Sequence, residues 1–219
     1  VVRFTPELAR TPAEAFVRQL LHDRLELREL VVGADFNFGR DRGGNLALLT
    51  ELGRELGFAV EGVEPVRLRG ERISATAVRR AVAEGRVELA AEMLGRPYAI
   101  TGKVVRGDRM GQRLGWPTIN LDPANELIPG NGVYAGRAVF TALPSTFECA
   151  TNVGTRPTVY ENYRRVVESH VLDFSADVYG HEVEIAFCRR LREEKIFASV
   201  MDLSGQIRRD VEATREYFA

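Results

Sequence analysis

The texture of this chain changes once, at Gly95-Arg96-Pro97, and the two sides of that point call for different architectures. Before it, helical and strand patterns alternate. Thr11-Pro12-Ala13-Glu14 has the form of a capping box with Pro at the first helical position. Ala13, Phe16, Val17, Leu20 and Leu21 follow at helical spacing, which predicts a helix with one buried face. Leu30-Val31-Val32 is a short, wholly apolar run that fits a strand buried on both faces of a parallel sheet. It breaks at Gly33 into the loop Ala34–Gly39. A second helix is expected from about Asn45 to Leu56, closed by Gly57, and a second strand over Phe58–Val63. Helix, strand, helix, strand predicts an α/β arrangement with a parallel sheet. Further helices are expected after Ile73-Ser74-Ala75-Thr76, where Ser74 or Thr76 can cap, and over about Val87–Leu94, stopped by Gly95.

After Tyr98 six short β-rich runs dominate: Ala99–Val105, Thr118–Leu121, Val133–Thr141, Phe147–Val153, Val166–Phe174 and Val183–Arg190. Gly, Pro and Asn clusters separate them, which predicts an antiparallel barrel or sandwich. One helix from about Ser199 to Phe218 closes the chain. Its Leu203, Ile207, Val211 and Phe218 form an apolar stripe expected to pack on the β-domain. A length of 219 residues accommodates two domains, and we place them at 1–95 and 96–219.

Charge narrows the range of partners. Thirty basic residues stand against 31 acidic ones, a net charge of -1, so nothing electrostatic favours nucleic acid or a membrane surface. No apolar run is long enough to span a bilayer, and no signal peptide is seen. Cys149 and Cys188 lie far apart without a CxxC partner, which fits a reducing, cytoplasmic setting. The chain opens on Val1-Val2-Arg3-Phe4 without Met, as a chain beginning inside a domain would.

Three segments carry candidate chemistry. Gly102–Gly115 holds four glycines within 14 residues, between two strands. Glycines let backbone approach a ligand closely and turn N–H groups toward phosphate oxygens, although a Gly-rich hairpin loop can also be merely mobile. The segment is not a Walker A motif, since no GKS or GKT occurs. Thr118 and Asn120 are two positions apart, hence on one face of a strand. Their hard oxygen donors suit Mg²⁺, which keeps several waters and completes its shell with substrate phosphates; a solvated strand face has the same pattern. Glu168, His170 and Leu172 share one strand face, with Ser169 and Val171 on the other. Glu168 is either a general base or a rim charge paired with an Arg. Ser74, Thr76 and Arg79, at a helix start, fit a phosphate site or simply a capped surface helix.

Together these segments resemble one family, the bacterial bifunctional riboflavin kinase/FMN adenylyltransferase, also called FAD synthetase. The resemblance over Arg96–Ala219 rests on the Gly-rich loop, Leu-Gly-Trp-Pro-Thr-Ile-Asn, Glu-Ser-His-Val-Leu-Asp-Phe, Asp-Val-Tyr-Gly and Leu-Arg-Glu-Glu-Lys-Ile-Phe, in that order. It implies a six-stranded antiparallel Greek-key barrel with a terminal helix. It also implies Thr118 and Asn120 as ligands of Mg²⁺ and ATP phosphates, with Glu168 as the catalytic residue. Gly102, Lys103, Gly107, Asp108, Gly111 and Gly115 become ATP-binding positions. Arg189, Arg192, Glu194 and Phe197 lie in a segment that looks like the family's flavin-side wall. Two departures stand out: Ile119 replaces the usual Ala, and Gln112 stands where the loop commonly carries Arg.

The front half resembles the C-terminal part of the family's adenylyltransferase domain, a partial parallel-sheet nucleotidyltransferase-like unit. Gly33-Ala34-Asp35-Phe36-Asn37-Phe38-Gly39 and Ile73-Ser74-Ala75-Thr76-Ala77-Val78-Arg79 carry that likeness, with Ala75 in place of Ser. It implies Gly33, Asp35, Phe36, Phe38, Ser74, Thr76 and Arg79 as nucleotide ligands. The His-x-Gly-His motif of such enzymes is missing, for the histidines are His22, His170 and His181. The expectation is therefore a chain that lacks the N-terminal part of that domain. It should act as a riboflavin kinase on riboflavin and ATP with Mg²⁺, and form no FAD.

Overall fold

A computed structural model describes residues 2–107, 110–156 and 164–219, which form two compact units, Val1–Arg72 and Ile73–Ala219. In the first unit, Thr5 caps a short helix α1 (Pro6–Ala9). Helix α2 (Ala13–Ala15) runs directly into a π-helical segment, Phe16–His22. The expected capping box does not form. Pro12 itself occupies the cap position and has no side-chain bond to offer. The Thr11 hydroxyl instead donates back to the Glu7 carbonyl, and Glu14 binds Arg18 one turn on.

Strands β1 (Glu29–Gly33) and β2 (Ala59–Val63) pair in parallel, as helix-strand alternation predicts. Helix α3 (Leu46–Leu56) connects them, capped by Asn45 and ended by Gly57 in the left-handed region at φ +83°. Leu49, Leu52 and Phe58 pack with Val17 and Phe38 against one face of this sheet. The other face is open: Val31 is 55% exposed, so the run 30–32 is buried on one side rather than two. A two-stranded sheet has only as much cover as its single layer of helices supplies. Strands β3 (Arg67–Leu68) and β4 (Glu71–Arg72) close the unit as a small hairpin.

The second unit opens with helices α4 (Ala75–Ala83) and α5 (Val87–Leu94). Its centre is a closed antiparallel barrel of β5 (Tyr98–Val105), β6 (Ile119–Pro123), β7 (Gly132–Phe140), β8 (Thr146–Arg156), β9 (Arg164–Val171) and β10 (Glu182–Arg192). The strand order is β10-β5-β6-β9-β8-β7. Consecutive β7, β8 and β9 pair as hairpins while β6 returns beside β9, which is a Greek key. Alternate residues fill the interior: Ile100, Val104, Tyr134, Phe140, Val153, Val167, Ile185 and Phe187 are buried. Each such large side chain contributes roughly 1.5–3 kcal/mol on burial.

Packing places α4 and α5 with the barrel, although the change of texture comes after them. Val87 is a fully buried member of the barrel core, and the Glu88 carboxylate accepts from the Arg190 backbone N–H at 3.0 Å. The last helix, α7 (Val200–Phe218), is capped by Ser199, whose hydroxyl accepts from the Asp202 N–H. Its Ile207 and Val211 cover Ala150, Leu172 and Trp116 on the outer barrel wall. Arg192 of β10 and Asp210 of α7 form a buried two-toothed ion pair, with N···O distances of 2.7 to 3.1 Å.

Candidate active site

The side chains that carry chemistry converge where β6 and β9 run side by side. Asn120 lies directly opposite Glu168, and Glu168 in turn opposes Asn152 on β8. Opposed residues in an antiparallel pair have Cα atoms roughly 4.5–5.5 Å apart, so the three polar side chains form one cross-strand row. Val167, Ser169 and Val171 point into the barrel and are buried. Strand alternation therefore turns Glu168 and His170 to the outer wall, where both are half-buried.

Two cavities open beside this row. The first, about 360 Å³, is bordered by Gly107, Gln112, Thr118, Asn120, Asp177 and Tyr179, among others. The second, about 230 Å³, is bordered by Trp116, Asn152, Glu168, His170, Arg192 and Phe197, with Leu203 and Ile207 of α7 at one side. Thr118 borders both. The first cavity thus offers a hydroxyl and a carboxamide, and the second a carboxylate against an aromatic and aliphatic wall. That arrangement can seat a polar, oxygen-rich ligand beside a flatter, more apolar one.

Glycines shape the approach. Gly107 sits so close to Asn120 that a β-carbon there would collide with the carboxamide. A short helix α6 (Met110–Arg113) follows, and at Gly111 a side chain would strike the Trp116 carbonyl. Gly115 adopts φ +81°, where only glycine is free of strain, and lets the Trp116 N–H donate to the Gly111 carbonyl at 2.8 Å. Trp116 is then held at its far edge by Ser204 of α7, whose hydroxyl accepts from the indole N–H at 3.3 Å.

Some expected residues are brought together and others are not. Gly107, Thr118 and Asn120 border the first cavity; Gly111, Thr118, Glu168, Arg192, Glu194 and Phe197 border the second. Gly102 and Lys103 lie inside β5 and border neither. Gly102 is a close-approach glycine against the Asp122 carbonyl, and Lys103 is an exposed side chain whose cross-strand neighbours are Asp122 and Glu182. Arg189 sits apart, its guanidinium 5.8 Å over the Tyr217 ring. Asp108 falls outside the described residues. Asn152, Tyr179 and the α7 residues Leu203 and Ile207 were not among the expected site positions. Tyr179 did stand within the Asp-Val-Tyr-Gly motif, but for the others the only sequence signal was a polar residue inside an apolar strand and an amphipathic helix, both common patterns.

In the first unit, Asp35 is engaged by the Arg72 guanidinium, which holds its carboxyl below the usual range. Phe38 is buried in the core, stacked 5.6 Å from the more exposed Phe36, and Gly33 ends β1. In the second unit, Ser74 caps α4 by accepting from the Ala77 N–H at 3.1 Å, while Thr76 and Arg79 are exposed on that helix. Cys149 is no candidate nucleophile, since burial inside the barrel pushes its thiol up to about 11.

Comparison with known proteins gives the family. The riboflavin kinase family model (Flavokinase) matches residues 94–218, and the FAD synthetase model matches residues 1–77. The bifunctional riboflavin kinase/FMN adenylyltransferase of Haemophilus influenzae is 38% identical over 218 residues, covering 100% of this chain and 70% of the relative. That of Escherichia coli K12 is 39% identical over 220 residues, covering 99% and 69%. A crystal structure from Streptococcus pneumoniae, described as a macrolide-efflux protein, superposes with a TM-score of 0.88 at 29% identity, over 97% of this chain and 67% of that one. In the present chain, among the described residues, no helix is long and apolar enough to cross a membrane. Two family models in the order of the two halves, and relatives matched along the whole length, give one answer: the chain belongs to the bifunctional riboflavin kinase/FMN adenylyltransferase family.

Proposed function

We propose that the second unit is a riboflavin kinase that binds ATP in the cavity of Thr118 and Asn120 and riboflavin in the cavity of Glu168, Trp116 and Arg192. The observation that carries the reading is Glu168 standing opposite Asn120 on adjoining strands, with Thr118 on the border of both cavities. The ribityl 5′-oxygen attacks the γ-phosphorus of ATP. A new O–P bond forms, the bond to the β–γ bridging oxygen breaks, the hydroxyl proton passes to the Glu168 carboxylate, and ADP leaves. Little covalent work falls to the protein in such a transfer, so positioning and charge neutralisation dominate.

The donor set fits Mg²⁺. Thr118 and Asn120 offer hard oxygens in the phosphate-side cavity, and Mg²⁺ sites built from one or two protein donors are completed by water and phosphate oxygens. Among the described residues no group of three or more His, Cys, Asp or Glu competes as a metal site. Bound with ATP, the ion supplies neutralisation of phosphate charge; Thr118 and Asn120 are the residues that would hold it. Gly107 must stay small to leave the Asn120 carboxamide in place. Gly107→Ala is expected to raise the KM for ATP and the Mg²⁺ requirement about tenfold, since displacements near 1 Å at such a site cost that much or more. A magnesium titration of initial rates checks it, and an unchanged Mg²⁺ dependence would remove Asn120 from the site.

The direct test incubates the chain with riboflavin, ATP and Mg²⁺ and separates products by chromatography. FMN is the expected product, and its absence sinks the reading. FAD is not expected, because the sequence carries no His-x-Gly-His to stabilise departing pyrophosphate.

A further inference from the structure

One side chain in the flavin-side cavity reaches toward the phosphate side. His170 lies on β9 two residues after Glu168, and its Nδ1 is 2.7 Å from the Pro117 carbonyl oxygen. A carbonyl only accepts, so the ring must carry its proton on Nδ1 and donate. Pro117 immediately precedes Thr118, and its fixed φ transmits the restraint to the next peptide with little slack. The other side of the same ring packs edge-on against Trp116, at 5.5 Å between centroids. Trp116, Pro117 and Thr118 are consecutive, yet only Thr118 borders both cavities, and Ile119 is where β6 begins. Nothing in the regular ladder therefore holds Thr118 itself. The β6–β9 register begins at Ile119↔Ser169. The His170–Pro117 hydrogen bond extends that pairing by one side-chain contact, at the point where the backbone ladder stops.

We propose that His170 is a positioning residue for the nucleotide: its Nδ1–H donated to Pro117 fixes the hydroxyl of Thr118 for the phosphate and its metal ion. The inference rests on the kinase reading above. Its chemistry separates it from a plain structural role. Pro117 is exposed, so water can replace the lost donor and overall stability should change little. What is lost is the fixed position of Thr118.

The test uses two variants and two binding measurements. His170→Phe keeps an aromatic edge for Trp116 and removes the donor; His170→Asn places an amide N–H near the former Nδ1. Riboflavin affinity is read from quenching of Trp116, which is the sole tryptophan of the chain. Affinity for a non-hydrolysable ATP analogue with Mg²⁺ is read by calorimetry, independently of turnover. In His170→Phe, analogue affinity and KM for ATP should worsen about tenfold, clearly more than riboflavin affinity, and His170→Asn should recover most of that loss in analogue affinity. Unchanged analogue binding in the Phe variant overturns the proposal. So does equal weakening of both ligands, or an Asn variant no better than Phe, since either marks a general wall residue. A wild-type chain that binds the analogue but makes no FMN refutes the kinase reading alone, and the analogue affinities of the variants still decide the role of His170.

Discussion

Glu168→Gln is expected to lower the turnover number for FMN formation by about 10²–10⁴-fold while leaving the KM for ATP nearly unchanged. The carboxamide has the size and hydrogen-bonding reach of the carboxylate but cannot take a proton from the ribityl hydroxyl. A loss of that size corresponds to roughly 3–5.5 kcal/mol of barrier. Glu168 is half-buried on the outer wall, between Asn120 and Asn152, so the exchange leaves no cavity and should hardly move the melting temperature. The proposed reading puts ATP in the other cavity, so KM and turnover should separate. Glu168→Asp keeps the base but withdraws it by one methylene, and should fall between the two. Chromatographic assay of FMN under saturating riboflavin and ATP decides the matter: near-wild-type turnover in the Gln variant would exclude Glu168 as the base.

The barrel was legible in the sequence because its strands alternate. Each of the six β-rich runs lies on an observed strand to within a few residues, since inward positions such as Ile100, Ile185 and Phe187 carry large apolar side chains and their neighbours small or polar ones. The same alternation puts Asn120 and Glu168 on one face of adjoining strands, while the site roles given to them and to Thr118 come from the family likeness alone. What stayed illegible depends on contacts between distant segments. A glycine that admits a neighbouring backbone, as Gly102 admits Asp122, has the same letter as a loop glycine. Phe38 has the same motif context whether it faces a ligand or the core, and packing against Phe16 puts it in the core. Val87 carries no mark that it will fill the barrel rather than a helical layer in front of it. The π-helical turn at Phe16–His22 likewise follows from packing, because the apolar spacing 16, 17, 20, 21 suits an ordinary helix equally well.

The largest expected effect on stability lies at Asp210. Its carboxylate takes three contacts from the Arg192 guanidinium and one from Gln206 Nε2 at 2.9 Å, and the two charged side chains are only 7% and 14% exposed. This pair ties α7 to the last residue of β10, and Arg192 lies 5.7 Å from the Phe197 ring as well as on the border of the second cavity. Asp210→Ala strands the guanidinium without its counter-charge. Removing one partner of a buried pair costs about 3–5 kcal/mol. For a unit of this size that lowers the melting temperature on the order of 10 °C. Replacing both, Arg192→Met with Asp210→Leu, exchanges the charges for apolar volume and should return most of that loss. The double variant separates two roles that the single one confounds. If Arg192 only anchors the helix, restoring stability restores riboflavin affinity. If its guanidinium also meets the flavin, as we propose from its place on the cavity wall, the double variant melts near the wild type yet binds riboflavin at least about tenfold more weakly, the cost of one charge-assisted hydrogen bond. Melting curves beside Trp116 quenching titrations distinguish the outcomes. A double variant that recovers both stability and affinity would reduce Arg192 to an anchor for α7.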